Sequence, residues 1–311
     1  MIEPQANRVM YGETLIELGE KNENIVVLDA DVPKSTNTHR FRKKFPERFF
    51  NIGIAEQNEV CIAAGLATTG RIPFVSTFAV FASMRACDQV RQSVAYPKLN
   101  VKIVATNAGI ENNSDGVTHQ AIEDIAIMRA MPNMVVLCPS DPVTTRKATL
   151  AAAEYEGPVY MRLGRYENPV IHDENVKFEI GRMLRVRDGT DVTIIATGRM
   201  VEEAIKAADH FRGKGISIRI LDCHTIKPID IQEIMLAARE TKGIVTAEDH
   251  NVMGGLGSAV CEVVAGECPT VVKRVGINDV FACSARNYKK LLSYYHVDSG
   301  EIIKKVEEIL K

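Results

Sequence analysis

Short runs of β-branched residues alternate with longer amphipathic segments along the chain, and this alternation limits the possible folds more than any other feature. Strands that alternate with helices predict a mostly parallel sheet with helices on both faces. Asp141 followed by Pro142 is typical of a helix start, because aspartate caps free amides and proline fits the first turn. The first series has predicted strands at 25–28, 72–75, 101–105, 135–137 and 159–162, and predicted helices at 8–20, 56–69, 84–95 and 142–154.

The alternation stops between residues 166 and 187, where proline, glycine and acidic residues interrupt any helical period. A second series follows, with predicted strands at 192–196, 216–221, 243–247 and 271–275, and predicted helices at 201–214, 231–242, 256–265 and 299–310. A chain of 311 residues is long enough for two domains. We therefore predict an α/β protein with two doubly wound domains, residues 1–166 and a smaller one at 188–311, joined by a linker at 167–187.

Composition and charge argue against several classes of function. The formal net charge is −2 and no basic run stands out, so we expect no nucleic-acid partner. No apolar stretch approaches the roughly 18 residues of a membrane-spanning helix, so we expect no membrane partner. The seven cysteines are scattered without a C-x-x-C pair, and the start of the chain lacks a signal region. These features favour a reducing, cytoplasmic location.

Three polar segments carry candidate ligand-binding residues, and two of them follow predicted strands, at the edge where open parallel sheets bind their ligands. Glu56 lies where one loop turns into an apolar helix. Phe78 and Phe81 belong to a turn rich in serine and threonine, where an aromatic side chain can stack on a flat ligand. Asp115 and His119 share a polar loop that contains glycine.

Each motif also has an ordinary structural explanation. The helix dipole favours a glutamate in the first turn of a helix. Phenylalanines that follow a strand usually pack in the core, and a turn aspartate commonly bonds its own backbone. Taken singly, none of the three loops establishes a function.

Taken together, in this order and spacing, the three motifs resemble the pyrimidine-binding domain of the transketolase family. The strings that carry this resemblance are Gly53-Ile54-Ala55-Glu56-Gln57, Ser76-Thr77-Phe78 and Asp115-Gly116-Val117-Thr118-His119-Gln120. Further strings at 191–198, 224–228, 248–250 and 254–258 resemble the C-terminal domain of the same family. The resemblance covers essentially the whole chain. It identifies 1–166 as a pyrimidine-binding domain and 188–311 as a transketolase C-terminal domain.

The resemblance implies thiamine diphosphate as cofactor. In family members a glutamate, here Glu56, hydrogen-bonds the aminopyrimidine ring and favours the imino tautomer that removes the proton from C2 of the thiazolium ring. Such a carboxyl group must be shielded from water. The resemblance further implies that Phe78 stacks on the pyrimidine, that Phe81 flanks it, and that Asp31 belongs to the acidic site near the cofactor.

The resemblance also implies substrates, which would be sugar phosphates exchanging a two-carbon ketol unit. It assigns Asp115 to a sugar hydroxyl, and His119 and Arg165 to the phosphate of the acceptor. Arg8 and Ser35 fall at further phosphate-binding positions of the family. Arginine suits this role because its planar fork pairs with two phosphate oxygens.

The metal- and diphosphate-binding part of the expected active site is not evident in the sequence. We find no Gly-Asp-Gly followed about 25 to 30 residues later by asparagine, the metal- and diphosphate-binding motif of the family. We therefore expect no metal ligand in this chain. A partner, the N-terminal-half transketolase subunit, would hold Mg²⁺ and the diphosphate, and the natural assembly would be α₂β₂. We interpret Gly254-Gly255-Leu256-Gly257 as helix packing.

Three departures from the family pattern leave the substrate open. Asn107 replaces a histidine that binds phosphate in many transketolases, Ser114 replaces an acidic residue, and residues 281–286 lack the usual glycine-rich acidic string. Two related enzymes remain as alternatives: half of a 1-deoxyxylulose-5-phosphate synthase, and the beta subunit of a 2-oxo acid dehydrogenase. A non-catalytic paralogue and a nicotinamide-binding protein are more distant alternatives, and the latter would need a G-x-G-x-x-G after a strand.

Overall fold

A computed structural model describes residues 2–311, which form two large, mostly parallel sheets with helices packed against them and one small antiparallel sheet of two strands. The strands in chain order are β1 (Gln5–Ala6), β2 (Ile25–Asp29), β3 (Phe49–Asn51), β4 (Ile72–Phe78), β5 (Lys102–Thr106), β6 (Val135–Leu137), β7 (Val159–Arg162), β8 (Glu167–Asn168), β9 (Leu184–Arg187), β10 (Val192–Ala196), β11 (Ile218–Asp222), β12 (Thr225–Lys227), β13 (Ile244–Asn251) and β14 (Val272–Ile277).

The α-helices connect these strands and cover both faces of the sheets. They are α1 (Asn7–Lys21), α2 (Pro33–Thr36), α3 (His39–Lys44), α4 (Glu56–Ala67), α5 (Cys87–Gln89), α6 (Asp124–Ala130), α7 (Pro142–Glu154), α8 (Met200–Phe211), α9 (Ile231–Glu240), α10 (Leu256–Glu267), α11 (Tyr288–Tyr294) and α12 (Ser299–Leu310). Short 3₁₀ turns cover Pro46–Arg48 and Val117–His119.

The first sheet has the strand order β12-β6-β7-β5-β4-β2-β3. All neighbours are parallel except β12, which runs antiparallel to β6 at the edge. The five strands predicted for the first series are all present. Strand β12 comes from far along the chain, so the second half of the sequence completes the sheet of the first.

The second sheet has the order β14-β13-β10-β11-β9, with β9 antiparallel to β11. The segment predicted as a linker contributes β9, so this part of the chain is ordered by pairing at the sheet edge. From β10 the chain moves to β11 on one side and later to β13 on the other. The loops after β10 and β13 therefore leave in opposite directions and frame a crevice, the usual ligand-binding place of a doubly wound sheet.

Alternate residues of the strands in the first sheet face opposite sides, as the pleat requires. Ile25 and Val27 belong to a core cluster that includes residues of α1 and α7. Val26 and Leu28 belong to another cluster, which includes residues of α4 and of the segment after β4. The prediction of a mostly parallel sheet with helices on both faces is therefore confirmed.

The helix predicted at 84–95 differs in kind from an ordinary α-helix. Residues Phe81–Arg85 and Val90–Ala95 form π-helical turns, with the short α5 between them. A π turn accommodates one extra residue and often lies at a functional site. The wider turns begin directly after β4, at the loop that carries Phe78.

Other helix boundaries follow their sequence signals closely. The Asp141 side chain accepts a hydrogen bond from the amide of Thr144, and the Thr144 hydroxyl bonds back to the amide of Asp141. This reciprocal cap fixes the start of α7, as predicted. Across residues 2–311, we find no helix that is both long and apolar enough to cross a membrane.

Candidate active site

Glu56 is the first residue of α4, and its side chain is 2% exposed. Both carboxylate oxygens accept from Nη1 of Arg85, at 2.9 Å and 2.8 Å. The start of a helix stabilises a carboxylate because free amides and the helix dipole both favour negative charge there. Arg85 itself is 45% exposed, so the buried carboxylate lies beneath a guanidinium that solvent can reach.

Aromatic rings lie next to this ion pair. The guanidinium carbon of Arg85 lies 4.2 Å from the centroid of the Phe81 ring, and Phe81 stacks on Phe78 at a centroid distance of 5.8 Å. The His119 ring meets both phenylalanines edge-on, at 5.3 Å from Phe81 and 6.2 Å from Phe78. The structure thus brings Glu56, Phe78, Phe81 and His119 into one cluster, joined by Arg85.

Arg85 is the member of this cluster that sequence reasoning missed. It is 29 residues from its partner along the chain, so no local spacing links the two. Its position on the π turn that begins at Phe81 is the structural reason for the contact, because that turn carries both the ring and the guanidinium. The polar residues of the string Arg85-Ala86-Cys87-Asp88-Gln89 lie in a segment that the sequence predicts as an amphipathic helix.

Two further carboxylic acids are buried behind Glu56. Glu59, one turn along α4, is fully buried, and burial together with nearby Asp29 raises its pKa well above the usual range. Burial also raises the pKa of Asp29 to about 6, although the hydroxyls of Thr36 and Thr38 donate to its carboxylate and oppose the shift. Burial therefore favours the protonated forms of Glu59 and Asp29, which lie behind Glu56.

Asp31 follows β2 at the exposed edge of the sheet, in a left-handed conformation with φ of 64°. Its carboxylate accepts a hydrogen bond from Nδ2 of Asn51 at 2.9 Å. Asn51 ends β3, which pairs with β2. The structure therefore places Asp31 beside the loop that leads into Glu56.

Arg8, Ser35 and Arg165 converge on another part of the same strand-end surface. Nε of Arg8 donates to the carbonyl of Arg165 at 3.1 Å, and its Nη1 donates to the carbonyl of Ser35 at 2.6 Å. Burial, and then the like charge of Arg165, lower the pKa of Arg8. The nearby Glu111 carboxylate opposes both effects, so an acidic side chain also lies among the charges around Arg8.

The loop with Asp115 and His119 joins the arginine pair to the aromatic cluster. Nη1 of Arg165 donates to Oδ1 of Asn112 at 2.7 Å. Asp115 is exposed, while His119 is half-buried and its Nδ1 lies 2.9 Å from the Thr118 hydroxyl. Asn107 is buried just before this loop, with a φ of 58°.

Metal-ligand groupings are absent from residues 2–311: no three histidine, cysteine or acidic side chains come together as a metal site. The seven cysteines are all free thiols. The side chains gathered at the candidate site are carboxylates, aromatic rings, a histidine and arginines.

Two parallel α/β units with polar loops at their strand ends are the architecture of an enzyme that acts on small molecules. The family model described as transketolase, pyrimidine binding domain, matches residues 3–169, and the model described as transketolase, C-terminal domain, matches residues 181–302. The chain belongs to the transketolase family, whose members generally use thiamine diphosphate and a divalent metal.

Similar proteins cover the same length. A "putative transketolase C-terminal section" of Methanocaldococcus jannaschii is 53% identical over 97% of this chain and 95% of its own. The "6-deoxy-6-sulfo-D-fructose transketolase subunit" of a Clostridium species is 41% identical, with 97% and 94% covered. A solved structure described as "split gene transketolase, inactive beta4 tetramer" is 50% identical, covers 98% of both chains and has a TM-score of 0.92. The chain is thus similar, over nearly its whole length, to a transketolase C-terminal section and to a split-gene transketolase chain.

Proposed function

We propose that this chain is the subunit of a thiamine-diphosphate-dependent transketolase that activates the aminopyrimidine of the cofactor. The enzyme moves a two-carbon ketol unit from a ketose phosphate to an aldose phosphate. The observation that carries the proposal is the contact of Arg85 with both Glu56 and Phe81.

The position of the Arg85 guanidinium shows how a flat, hydrogen-bonding group can lie against Glu56 and Phe81. A guanidinium is a planar group with N–H donors, and here one such group is hydrogen-bonded to a buried carboxylate while lying over a phenyl ring. An aminopyrimidine makes the same two demands, a carboxyl partner in its plane and an aromatic side chain against its face. Glu56 and the phenylalanine pair therefore fit the cofactor, with Arg85 moving aside or sharing the carboxylate.

Bound thiamine diphosphate supplies the nucleophilic carbon of its thiazolium ring. Glu56 holds a proton between its carboxyl group and the ring nitrogen N1′, which sets the tautomer of the aminopyrimidine. Burial of Glu56 keeps water from competing for that proton. Phe78 stacks on the pyrimidine and Phe81 flanks it, while Asp31 lies at the acidic edge of the site.

The substrate lies on the surface between the aromatic cluster and the arginine pair. Asp115, at the exposed tip of its loop, accepts a hydrogen bond from a sugar hydroxyl next to the reacting carbon. His119 and Arg165 bind the phosphate of the acceptor, with Arg8 and Ser35 beside them. The hydrogen bonds of Arg8 to the carbonyls of Arg165 and Ser35 hold these three residues together and support a phosphate site, because arginine pairs well with phosphate oxygens.

The remaining part of the site belongs to a partner chain in this proposal. An N-terminal-half transketolase subunit binds Mg²⁺ and the diphosphate, and two copies of each chain form an α₂β₂ assembly. The similar split transketolase supports this arrangement, since its tetramer of beta chains alone is described as inactive.

Reconstitution tests the proposal. The purified chain, an N-terminal-half transketolase subunit, Mg²⁺ and thiamine diphosphate are mixed with D-xylulose 5-phosphate and D-ribose 5-phosphate. A parallel series replaces the donor by other ketose phosphates and by 6-deoxy-6-sulfo-D-fructose, the sugar named in a relative. Ketol transfer is expected from the mixture alone, and turnover by the lone chain would contradict the split enzyme.

Replacing Arg165 by alanine should weaken phosphorylated acceptors selectively. A lost charge-assisted contact of about 1.5–3 kcal/mol corresponds to a rise in KM of roughly 10- to 150-fold. The KM for an unphosphorylated aldose should change little, because that aldose has no phosphate to bind the guanidinium. Steady-state kinetics with D-ribose 5-phosphate and D-erythrose as acceptors measure the ratio. Equal losses for both acceptors would rule out the phosphate role of Arg165.

A further inference from the structure

Residues 283–285 of the second domain, here called the contact segment, lie against the loop that carries Asp115 and His119. The amide of Ala285 donates to the carbonyl of Asn113 at 2.7 Å, and Nδ2 of Asn113 donates back to the carbonyl of Ala285 at 2.5 Å. Nε2 of Gln120 donates to the carbonyl of Cys283 at 3.2 Å. The two attachment points, Asn113 and Gln120, bracket the proposed substrate residues on either side.

Packing between the attachment points is equally close. Gly116 has a φ of 79°, and a Cβ atom added to it would lie 3.1 Å from the Cβ of Ser284. A side chain at this position would press on Ser284, which would have to shift by a few tenths of an ångström. Because Asp115 directly precedes Gly116, this close contact lies next to the proposed hydroxyl-binding residue.

The second domain also fixes both ends of the same loop. The carboxylate of Asp249 accepts from the amide of Ile110 at 3.2 Å, and a Cβ at Gly109 would overlap that carboxylate. On the far side, the amide of Asn251 donates to the carbonyl of Ile122 at 2.8 Å. The loop is thus bonded to the second domain before, within and after the stretch that holds Asp115 and His119.

The crevice of the second sheet is filled by this contact. Its strand-end residues Gly198 and Asp249 face Ala108 and Glu111 of the first domain, and the remaining cavity measures about 10 Å³. A doubly wound sheet usually keeps this place open for a ligand. In this chain the crevice holds the start of the loop that carries Asp115 and His119, here called the substrate loop.

We propose that the second domain positions the substrate loop, and that residues 283–285 set the placement of Asp115 and His119. The inference rests on the proposed function, since it concerns the residues assigned to the sugar phosphate. Residues 283–285 touch no substrate in this scheme and act through the loop. The second domain is therefore a specificity element for the transfer, rather than a separate ligand-binding unit.

Two substitutions on the contact segment test the proposal without altering the loop itself. Ala285→Pro removes the amide donor to Asn113, and Ser284→Leu places a larger side chain against Gly116. Arg286→Ala is the matched control, since the neighbouring Arg286 is exposed and makes no hydrogen bond or ion pair within the described part of the chain. Using two variants guards against one that fails to fold.

Hydrogen exchange of residues 112–120 and kinetics of the reconstituted enzyme are measured together. In Ala285→Pro and Ser284→Leu, exchange of the loop should be about tenfold faster. The ratio kcat/KM for D-xylulose 5-phosphate should fall about 10- to 100-fold, because catalytic groups lose their placement. The dissociation constant of thiamine diphosphate should stay within about twofold, since Glu56 and Phe78 do not contact the segment. Arg286→Ala should match the wild type in all three.

Either of two results would overturn the proposal: unchanged loop exchange in both variants, or faster exchange with unchanged kcat/KM. A loss of cofactor affinity equal to the loss of kcat/KM would also contradict it, because the damage would then extend beyond the loop. Failure of the proposed function is distinguishable, since the wild-type mixture itself would be inactive. The exchange comparison would still decide in that case whether residues 283–285 order the loop.

Discussion

Replacing Glu56 by glutamine should lower the turnover of the reconstituted enzyme by roughly 10²- to 10⁴-fold. The amide keeps the size and the hydrogen-bonding oxygen of the side chain, but it cannot hold or release a proton at the ring nitrogen of the cofactor. The loss should fall on kcat, because the proton is needed during the reaction and not for substrate binding. Initial rates with saturating D-xylulose 5-phosphate and D-ribose 5-phosphate measure the effect.

A matched control for this substitution is Glu203→Gln. Glu203 is also buried on a helix, but it lies in the second domain and accepts from Lys206 and the amide of Ser299. This variant should retain most of the wild-type turnover. If Glu56→Gln kept more than about a tenth of the wild-type kcat in a correctly assembled complex, proton transfer through Glu56 would not be the basis of catalysis.

The fold could be predicted from the sequence wherever hydrophobic period and end signals agree. Strands at 135–137, 159–162 and 192–196 and the helix at 142–154 have the predicted boundaries, because the strands are short apolar runs and the helix has a strong N-terminal cap. Strand β12 was not predicted. Its pairing with β6 is set by contacts between distant parts of the chain, which local pattern does not encode.

The sequence predicted which residues form the site, and the structure shows which of them are in contact. The three motifs pointed to Glu56, Phe78 and His119 through their joint resemblance to the transketolase family, and only the loops of Phe78 and His119 follow predicted strands. Spacing did not reveal Arg85, since the π turn that aims it at Glu56 reads as an ordinary helix in sequence. Nor did it reveal the second-domain contact at Ala285, which lies 172 residues from Asn113.

Replacing Asp124 by alanine should destabilise the folded chain by about 3–5 kcal/mol, the largest stability effect that we expect from a single side chain here. Asp124 is fully buried, and its Oδ2 accepts from Nε of Arg162 at 2.8 Å and from the hydroxyl of Tyr160 at 2.8 Å. Burial opposes the charge of Arg162 and lowers its pKa, but Asp124 together with Cys138, Asp249 and Tyr160 outweighs burial and raises the pKa of Arg162. Without the carboxylate, a buried guanidinium loses its counter-charge.

The loss of folding free energy should depend on whether the side chain at residue 124 can still accept hydrogen bonds. Asp124→Asn keeps an oxygen that can accept from Arg162 and Tyr160, so it should cost less than Asp124→Ala, by the difference between a neutral and a charged partner. Asp188→Ala is the control, because its ion pair with Arg185 is exposed and contributes little. Urea denaturation of the lone chain measures all three variants. Because Nη2 of Arg162 also donates to the carbonyls of Asp249 at 2.6 Å and Ala121 at 3.2 Å, a loss for Asp124→Ala no larger than for Asp188→Ala would mean that these two carbonyls are enough to hold this arginine.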